Sequence, residues 1–234
     1  MGVLSNDWLI GSGHKLGLYS SAGSKSCLGL PGSLGHEKID AETFAAWNVG
    51  YVKYGNCHGE GIPAVERYTA MAKALNQTNV PMYFAVDNWG NEEVTQWAPA
   101  IAVSWGTAPP IGGASGQWSG VPKFPTNTFQ QMKNNFLRSQ ESASASTPGK
   151  WNDPGLLMIG NNIMSLDEER TQMALWAIAK APLIMSASFY DITQESVNVL
   201  KNELLIAINQ DSYGQQAHCT IGCGHTRDGH VQIF

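Results

Sequence analysis

Short apolar runs recur along the chain and are separated by segments whose apolar positions follow helical spacing. Runs of four to six residues, bounded by glycines, prolines or polar clusters, are typical of buried strands. The pattern predicts six strands, at residues 15–20, 49–54, 81–86, 101–104, 156–159 and 182–186.

Amphipathic segments lie between these strands. Asp40 is a candidate N-cap for a helix that continues through Trp47, and Ser165 with Glu168 forms a capping-box pattern for a helix that ends before Pro182. Further helices are predicted at 63–75, 129–136 and 193–204. Strands that alternate with helices indicate βα units and a parallel sheet, so the predicted fold class is α/β. Six units are two fewer than a (β/α)8 TIM barrel needs, so the sequence predicts an incomplete barrel.

Length and composition narrow the function classes. With 234 residues the chain can bury one sizeable core, and one globular domain is expected. Charged residues make up 14% and the formal net charge is −5, so no basic field is present to neutralise phosphates and no nucleic-acid partner is expected. No apolar run is long enough to cross a bilayer. Eight Trp and seven Tyr supply flat faces that suit sugar rings, although most such side chains belong to the core.

The cysteines favour an oxidising, secretory setting. They are even in number, and the NQT triplet at Asn76 is a candidate N-glycosylation acceptor. The first residues carry no apolar stretch followed by a small-residue cleavage site, so no signal peptide is predicted in this sequence. Cys219 and Cys223, flanked by His218 and His225, fit either a small zinc cluster or a local disulfide. In a secretory protein the disulfide is favoured, and we expect no metal or cofactor.

Four stretches of sequence carry a family resemblance. The string KLGLYSSAGSKSCLGLPGSLGHEKIDAETFAAWNVGYVKYGNC resembles the third and fourth βα units of the α-galactosidases and α-N-acetylgalactosaminidases of glycoside hydrolase family 27. WNDPGLLMIGNNIMS, LWAIAKAPLIM and LLIAINQDSYGQ are similar to later units of that family, in the same order. The resemblance covers about residues 9–216 and is weak over 106–150.

The resemblance implies an architecture and a setting. The family's first two barrel strands would lie before Met1, and an antiparallel β-sandwich would follow Phe234. Residues 1–216 are therefore interpreted as a partial barrel domain and 217–234 as a tail that leads towards the sandwich. Unpaired sheet edges in such a partial barrel predict self-association. The resemblance also implies a secreted glycosidase acting on terminal α-galactosides, with a disulfide between Cys27 and Cys57.

Retaining hydrolysis of a glycoside needs a nucleophilic carboxylate and a second carboxyl about 5 Å away that protonates the leaving oxygen. In the family, the nucleophilic aspartate follows a Lys-Tyr pair, and the resemblance places Gly55 there, after Lys53 and Tyr54. The acid/base aspartate follows a Trp-Arg pair. The resemblance places Pro110 at the acid/base position and Gly106 at the arginine.

Two further acidic positions of the family are changed. Asn88 stands where the family has a substrate-binding glutamate, and Gly155 replaces the second aspartate of an Asp-Pro-Asp string. The sequence therefore predicts a catalytically impaired member of the family. Asp87 and Glu60 are candidate substitute carboxylates. The alternative interpretation is favoured for both, namely that Asp87 is an ordinary strand-end residue and Glu60 a solvated loop residue.

Several other family positions are retained. By resemblance these residues would hold an α-galactoside or another small sugar: Lys53, Tyr54, Trp89, Trp105 and Asp153. Lys53 would bind ring hydroxyls, and the two Trp would wall the pocket. The alternatives left open are a sugar-binding pseudoenzyme that no longer hydrolyses its ligand and a non-functional gene fragment in which these residues are residual scaffold.

Overall fold

The computed structural model of the protein describes residues 13–111 and 127–219. The chain divides into two compact units. Of the described residues, the first unit holds 13–105, and the second holds 106–111 and 127–219. Each unit is built from alternating strands and helices.

The first unit contains four strands that are neighbours in chain order. They are β1 (Leu16–Ser21), β2 (Val49–Gly55), β3 (Tyr83–Asp87) and β4 (Ser104–Gly106). The boundary between the units falls inside β4, so that Gly106 is assigned to the second unit. Its helices are α1 (Glu37–Ala46), α2 (Ala64–Gln77) and the single turn α3 (Val94–Trp97), with a 3₁₀ turn at Ala98–Ala100. All three strand pairs are parallel, which confirms the α/β class predicted from the sequence.

Successive side chains of each strand point to opposite faces of the sheet, and one of these faces packs against helix α2. Tyr54 of β2 packs against Phe84 of β3 and edge-on against Tyr68 of α2, with ring centroids 5.8 and 5.5 Å apart. Tyr68 in turn contacts Trp97. Since side chains two residues apart point to the same face of a strand, the neighbours of Tyr54 in β2 point to the opposite face. The buried aromatic cluster therefore anchors the sheet while Lys53 and Gly55 lie on its other side.

The second unit is described by itself. It contains β5 (Trp151–Asp153) and the helices α4 (Thr128–Glu141), α5 (Leu166–Ile178), α6 (Gln194–Leu200) and α7 (Glu203–Gln210), with a 3₁₀ turn at Ala143–Ala145. Its core packs Met132 and Phe136 of α4 against Met173 and Trp176 of α5. The backbone N–H of Thr107 donates to the carbonyl of Asp153, 2.9 Å away, and so joins the segment after residue 106 to the end of β5.

Three strand predictions need correction. The strand predicted at 101–104 begins at Ser104, because the 3₁₀ turn and Ile101 precede it. The predicted fifth strand lies at Trp151–Asp153 instead of 156–159, where Leu157 forms only an isolated parallel bridge to Met185. That bridge is also all that remains of the predicted sixth strand at 182–186 among the described residues.

Two helix predictions also differ from the structure. Helix α1 begins at Glu37, so Asp40 lies in its first turn instead of capping it. The helix predicted at 193–204 is two helices, because Asn202 leaves the helical backbone and its side chain accepts a hydrogen bond from the N–H of Leu205. Asn202 therefore acts as the N-cap of α7 and separates it from α6.

No helix within residues 13–111 and 127–219 is both long enough and apolar enough to cross a membrane.

The predicted capping box at Ser165 is confirmed. Its hydroxyl accepts from the N–H of Glu168, and the Glu168 carboxylate accepts from the N–H of Ser165. We expect Ser165→Ala to lower the free energy of unfolding by about 1 kcal/mol, because the first turn of α5 loses an acceptor for one of its unpaired N–H groups. Urea unfolding of this variant beside the exposed control Ser212→Ala checks the prediction. Equal losses in both variants would contradict it.

Candidate functional site

The carboxyl ends of β1, β2 and β3 bring three polar side chains and one glycine to the same face of the sheet. Tyr19 is in register with Lys53, and Gly55 is in register with Asp87. Residues in register on neighbouring parallel strands point to the same face, and Lys53 and Gly55 are two residues apart. These four residues therefore form one cluster, called here the strand-end site. Carboxyl ends of parallel strands are where α/β barrels place their chemistry.

Lys53 and Asp87 form an ion pair across the two strands. The Lys53 ammonium nitrogen lies 3.6 Å from an Asp87 carboxylate oxygen, and the side chains are 19% and 18% exposed. Charges at this depth attract each other more strongly than in bulk water. The pair therefore fixes the position of the Asp87 carboxylate beside Gly55.

The hydroxyl of Tyr19 fills the space next to Gly55. A Cβ atom built on Gly55 would lie 2.7 Å from Tyr19 Cζ and would overlap the hydroxyl oxygen itself. Carbon atoms in contact are normally about 3.5–4.0 Å apart, so no side chain fits at Gly55 unless the Tyr19 ring moves. Because the Tyr19 side chain is 48% exposed, the ring has solvent into which it can move.

Burial raises the pKa of Tyr19 from its usual 10 to about 12. The Asp87 carboxylate adds to the rise, because it disfavours a second negative charge nearby, and Lys53 opposes it. The Tyr19 hydroxyl is therefore protonated at neutral pH and is able both to donate and to accept a hydrogen bond.

The loops after β1 and β2 are tied together behind this site. Cys27 and Cys57 form a disulfide, which confirms the pairing expected from the resemblance. The buried Arg67 side chain of α2 donates to the carbonyls of Ala22 and Ile62 and to the Asn56 side chain. Each of these loops thus has a fixed path, which holds the ends of the two strands in place.

Two of the residues expected to bind substrate are fully buried. Tyr54 and Trp105 each have no exposed surface. Trp105 is in register with Val86 of β3, which is in register with Tyr54, so all three point to the face that carries α2. Tyr54 and Trp105 therefore pack in the core between the sheet and α2, on the face opposite to the strand-end site. Lys53 and the half-buried Trp89, which adopts a left-handed backbone at φ 64°, keep exposed surface for a ligand.

The structure also buries Asn88 completely. Its side-chain nitrogen donates to the carbonyl of Asn91, 2.6 Å away, and so closes the turn after β3. Glu60, the other candidate substitute carboxylate, is exposed and accepts a hydrogen bond from the Ser24 hydroxyl. Of the two candidate substitutes, Asp87 belongs to the strand-end site.

The remaining predicted positions belong to the second unit. Asp153 is 5% exposed, and one of its carboxylate oxygens accepts from the N–H of Gly155, 2.8 Å away. Pro110 is half-buried, and its carbonyl accepts from the Gln131 side chain. Gly106 ends β4. Neither Pro110 nor Gly106 carries a group that can exchange a proton with a substrate.

Cys219 is also disulfide-bonded. Its predicted partner, Cys223, lies outside the described residues, as does His225. A disulfide sulfur is not a thiolate, so Cys219 in this state is not a zinc ligand of the kind considered from the sequence.

Tyr19 was not singled out by the sequence reasoning. A usable signal exists in the chain, because pairing the apolar run at 15–20 in parallel with 49–54 brings Tyr19 opposite Lys53. The role of Arg67 in holding the two loops could not be predicted from the sequence, since its three hydrogen-bond acceptors are scattered over residues 22–62.

The parallel α/β fold with polar residues at strand carboxyl ends is the arrangement of the (β/α) barrel class. A family model described as alpha galactosidase A matches residues 4–211. The chain belongs to the alpha galactosidase A family.

Curated relatives agree with this assignment. An alpha-galactosidase of Oryza sativa subsp. japonica is 38% identical over 211 residues, and alpha-galactosidase mel1 of Schizosaccharomyces pombe is 37% identical over 241 residues. The alignments cover 90% and 95% of this chain but 47% and 54% of the relatives. The chain thus spans about half the length of the curated relatives it matches.

Solved structures give the same picture. Alpha-galactosidase I from Mortierella vinacea is 32% identical with a TM-score of 0.81, over 91% of this chain and 56% of that one. The MEL1 alpha-galactosidase of Saccharomyces cerevisiae is 32% identical with a TM-score of 0.80, over 92% and 50%. A structure of the S. cerevisiae enzyme contains raffinose.

The raised pKa of Tyr19 predicts a loss of stability at high pH. Since the folded-state pKa of about 12 exceeds the ordinary value of 10, the contribution is complete below pH 10 and is lost as the pH rises towards 12. We expect Tyr19→Phe to lose less stability than the natural chain across this range, as measured by urea unfolding midpoints.

Tyr190→Phe, which changes a fully exposed ring, is the control. Titration of tyrosinate absorbance checks the assignment directly, and a Tyr19 hydroxyl that ionises at pH 10 would refute it.

Proposed function

We propose that this chain is an α-galactosidase-family protein in which the retaining hydrolysis of terminal α-D-galactosides is impaired. The proposal rests on one observation at residue 55. Glycine has no side chain there, and the Tyr19 hydroxyl fills the space that a side chain would occupy. By resemblance this is the position of the nucleophilic aspartate. A covalent glycosyl intermediate needs a nucleophile in contact with the anomeric carbon, and glycine supplies none.

Loss of the proton donor supports the same proposal. By resemblance Pro110 takes the position of the acid/base aspartate, and its side chain has no proton to give to a leaving alcohol. General acid catalysis typically contributes about 10²–10⁴-fold to such reactions. Loss of both groups removes the covalent route and the assisted departure of the leaving group together.

A second candidate function is binding of a galactoside without turnover. Lys53 and Trp89 retain exposed surface, and Asp87 adds an acceptor for sugar hydroxyls. Sites for small molecules typically combine aromatic side chains with a few polar or charged groups that orient the ligand. Saturable binding of galactose, measured by calorimetry, would favour this candidate over a gene fragment without function.

We also propose that the described strands belong to a (β/α)8 barrel, incomplete in this chain, with residues 1–216 as its partial barrel domain and 217–234 as a tail. The similarity to solved α-galactosidases supports the barrel architecture. The disulfide between Cys27 and Cys57 supports a secreted protein, because such bonds persist in oxidising compartments.

Hydrolysis of a chromogenic α-galactoside tests the main proposal. We expect no release of chromophore by the natural chain above the uncatalysed rate. The double variant Gly55→Asp with Pro110→Asp restores both carboxyls, and Gly55→Asp with Pro109→Asp is its matched control. Activity of the double variant alone would show that the rest of the site still positions a galactoside.

Turnover by the natural chain would contradict the proposal. In that case the carboxylates of the reaction lie elsewhere in the chain.

A further inference from the structure

The Tyr19 hydroxyl lies where a ligand of the strand-end site has to bind. Lys53 precedes Gly55 by two residues in β2, and Asp87 is the register partner of Gly55 in β3. These side chains leave the same face of the sheet, so a ligand that contacts both Lys53 and Asp87 lies against Gly55, which neighbours both. The Tyr19 hydroxyl fills the space in front of Gly55. A ligand and the hydroxyl therefore compete for one position.

The surroundings of the Tyr19 hydroxyl show how it is held there. The hydroxyl lies 3.6 Å from Cys27 Sγ, and because a disulfide sulfur carries no proton, the hydroxyl is the donor. Burial raises the pKa of Tyr19 to about 12, Asp87 adds to the rise and Lys53 opposes it. The hydroxyl thus lies within reach of both charged groups that a sugar would contact.

The same ring has a route out of the site. Tyr19 is 48% exposed, so one side of the ring faces solvent. A sulfur atom is a weak hydrogen-bond acceptor, and side chains with access to solvent change rotamer quickly. The ring is therefore able to exchange between a closed position, against Gly55, and an open position in solvent.

We propose that Tyr19 is an autoinhibitory residue of the strand-end site, whose ring in the closed position excludes galactosides, so that a galactoside binds only after the ring has moved into solvent. This inference rests on the proposed function, which supplies the sugar class. Gly55 causes the closure, because any larger residue there would overlap the Tyr19 hydroxyl and keep the ring open. The residue that removes the nucleophile thus also closes the site.

The size of the effect follows from the population of the open position. When only a fraction of the molecules can bind, the apparent Kd is the intrinsic Kd divided by that fraction. Minor conformers that take part in such equilibria are typically about 0.1–10% populated. Holding the site open is therefore expected to lower the Kd for a galactoside by about 10-fold or more.

The experiment titrates methyl α-D-galactopyranoside into the natural chain and its variants by isothermal titration calorimetry. Tyr19→Ala removes the ring, whereas Gly55→Ala displaces it with one methyl group and leaves the ring in the chain. We expect each variant to bind the sugar about 10-fold more tightly than the natural chain, or better. The double variant should bind no more tightly than Tyr19→Ala alone, because both changes act on one contact.

Tyr190→Ala is the matched control, because it removes a ring that is 99% exposed and lies outside the strand-end site. Its Kd should equal that of the natural chain. Circular dichroism and thermal unfolding establish that each variant is folded.

Fluorine NMR of the fluorotyrosine-labelled natural chain adds a readout that needs no binding variant. Its Tyr19 resonance is assigned by the loss of that signal in Tyr19→Phe. We expect this resonance to move when the sugar saturates the site, because the ring enters solvent. If the binding variants do not fold, this resonance still decides the matter.

Three results would overturn the inference: sugar binding in folded Tyr19→Ala that is no tighter than in the natural chain, no binding by any of the chains, or a Tyr19 resonance that stays unchanged at saturation. None of these restores hydrolysis, so the proposed loss of hydrolysis would stand. Release of chromophore from an aryl α-galactoside by the natural chain would instead contradict the proposed function.

Discussion

The parallel register of β1, β2 and β3 is the constraint on which the site depends. It places Tyr19 opposite Lys53 and Gly55 opposite Asp87, and so decides which side chains can meet at the strand ends. A shift of one residue in any of these strands would turn its side chains towards the helix-covered face. The register is in turn held by the buried rings of Tyr54 and Tyr68 and by the disulfide behind the strands.

Within this frame, the absence of one side chain has a local consequence. Gly55 leaves a space at the centre of the site, and the Tyr19 ring, which is free to move on its solvent side, occupies it. Asp87, the register partner of Gly55, lies on the next strand, and Lys53 forms an ion pair with it. The site therefore keeps side chains that form hydrogen bonds and an ion pair but offers no nucleophile at Gly55. Family membership and chemistry are separate questions here, because a fold does not imply a function.

Much of this was accessible from the sequence. The alternation of apolar runs and amphipathic segments predicts the α/β class, β1 to β3 and α2, and the S-x-x-E pattern predicts the start of α5. The pairing of Cys27 with Cys57 follows from the resemblance. The lack of a side chain at Gly55 is evident from the sequence itself, because it depends only on the identity of that residue.

Other features depend on packing and could not be predicted. The strand at Trp151–Asp153 is only three residues long, and the more apolar run at 156–159 gave the stronger signal. The split between α6 and α7 depends on a cap by Asn202 within a continuous helical pattern. The burial of Trp105 and Asn88 follows from which face of the sheet the helices cover. The contact between the Tyr19 hydroxyl and Gly55 joins two strands that are distant in the sequence.

The most direct test of the central claim is intact mass spectrometry of the natural chain after incubation with a 2-deoxy-2-fluoro-α-galactosyl inactivator, a reagent that traps the covalent intermediate of retaining glycosidases. The account predicts an unchanged mass, because Gly55 offers no atom to form the glycosyl bond. A mass increase of one fluorosugar, located by peptide mapping to a residue of the strand-end site, would contradict it.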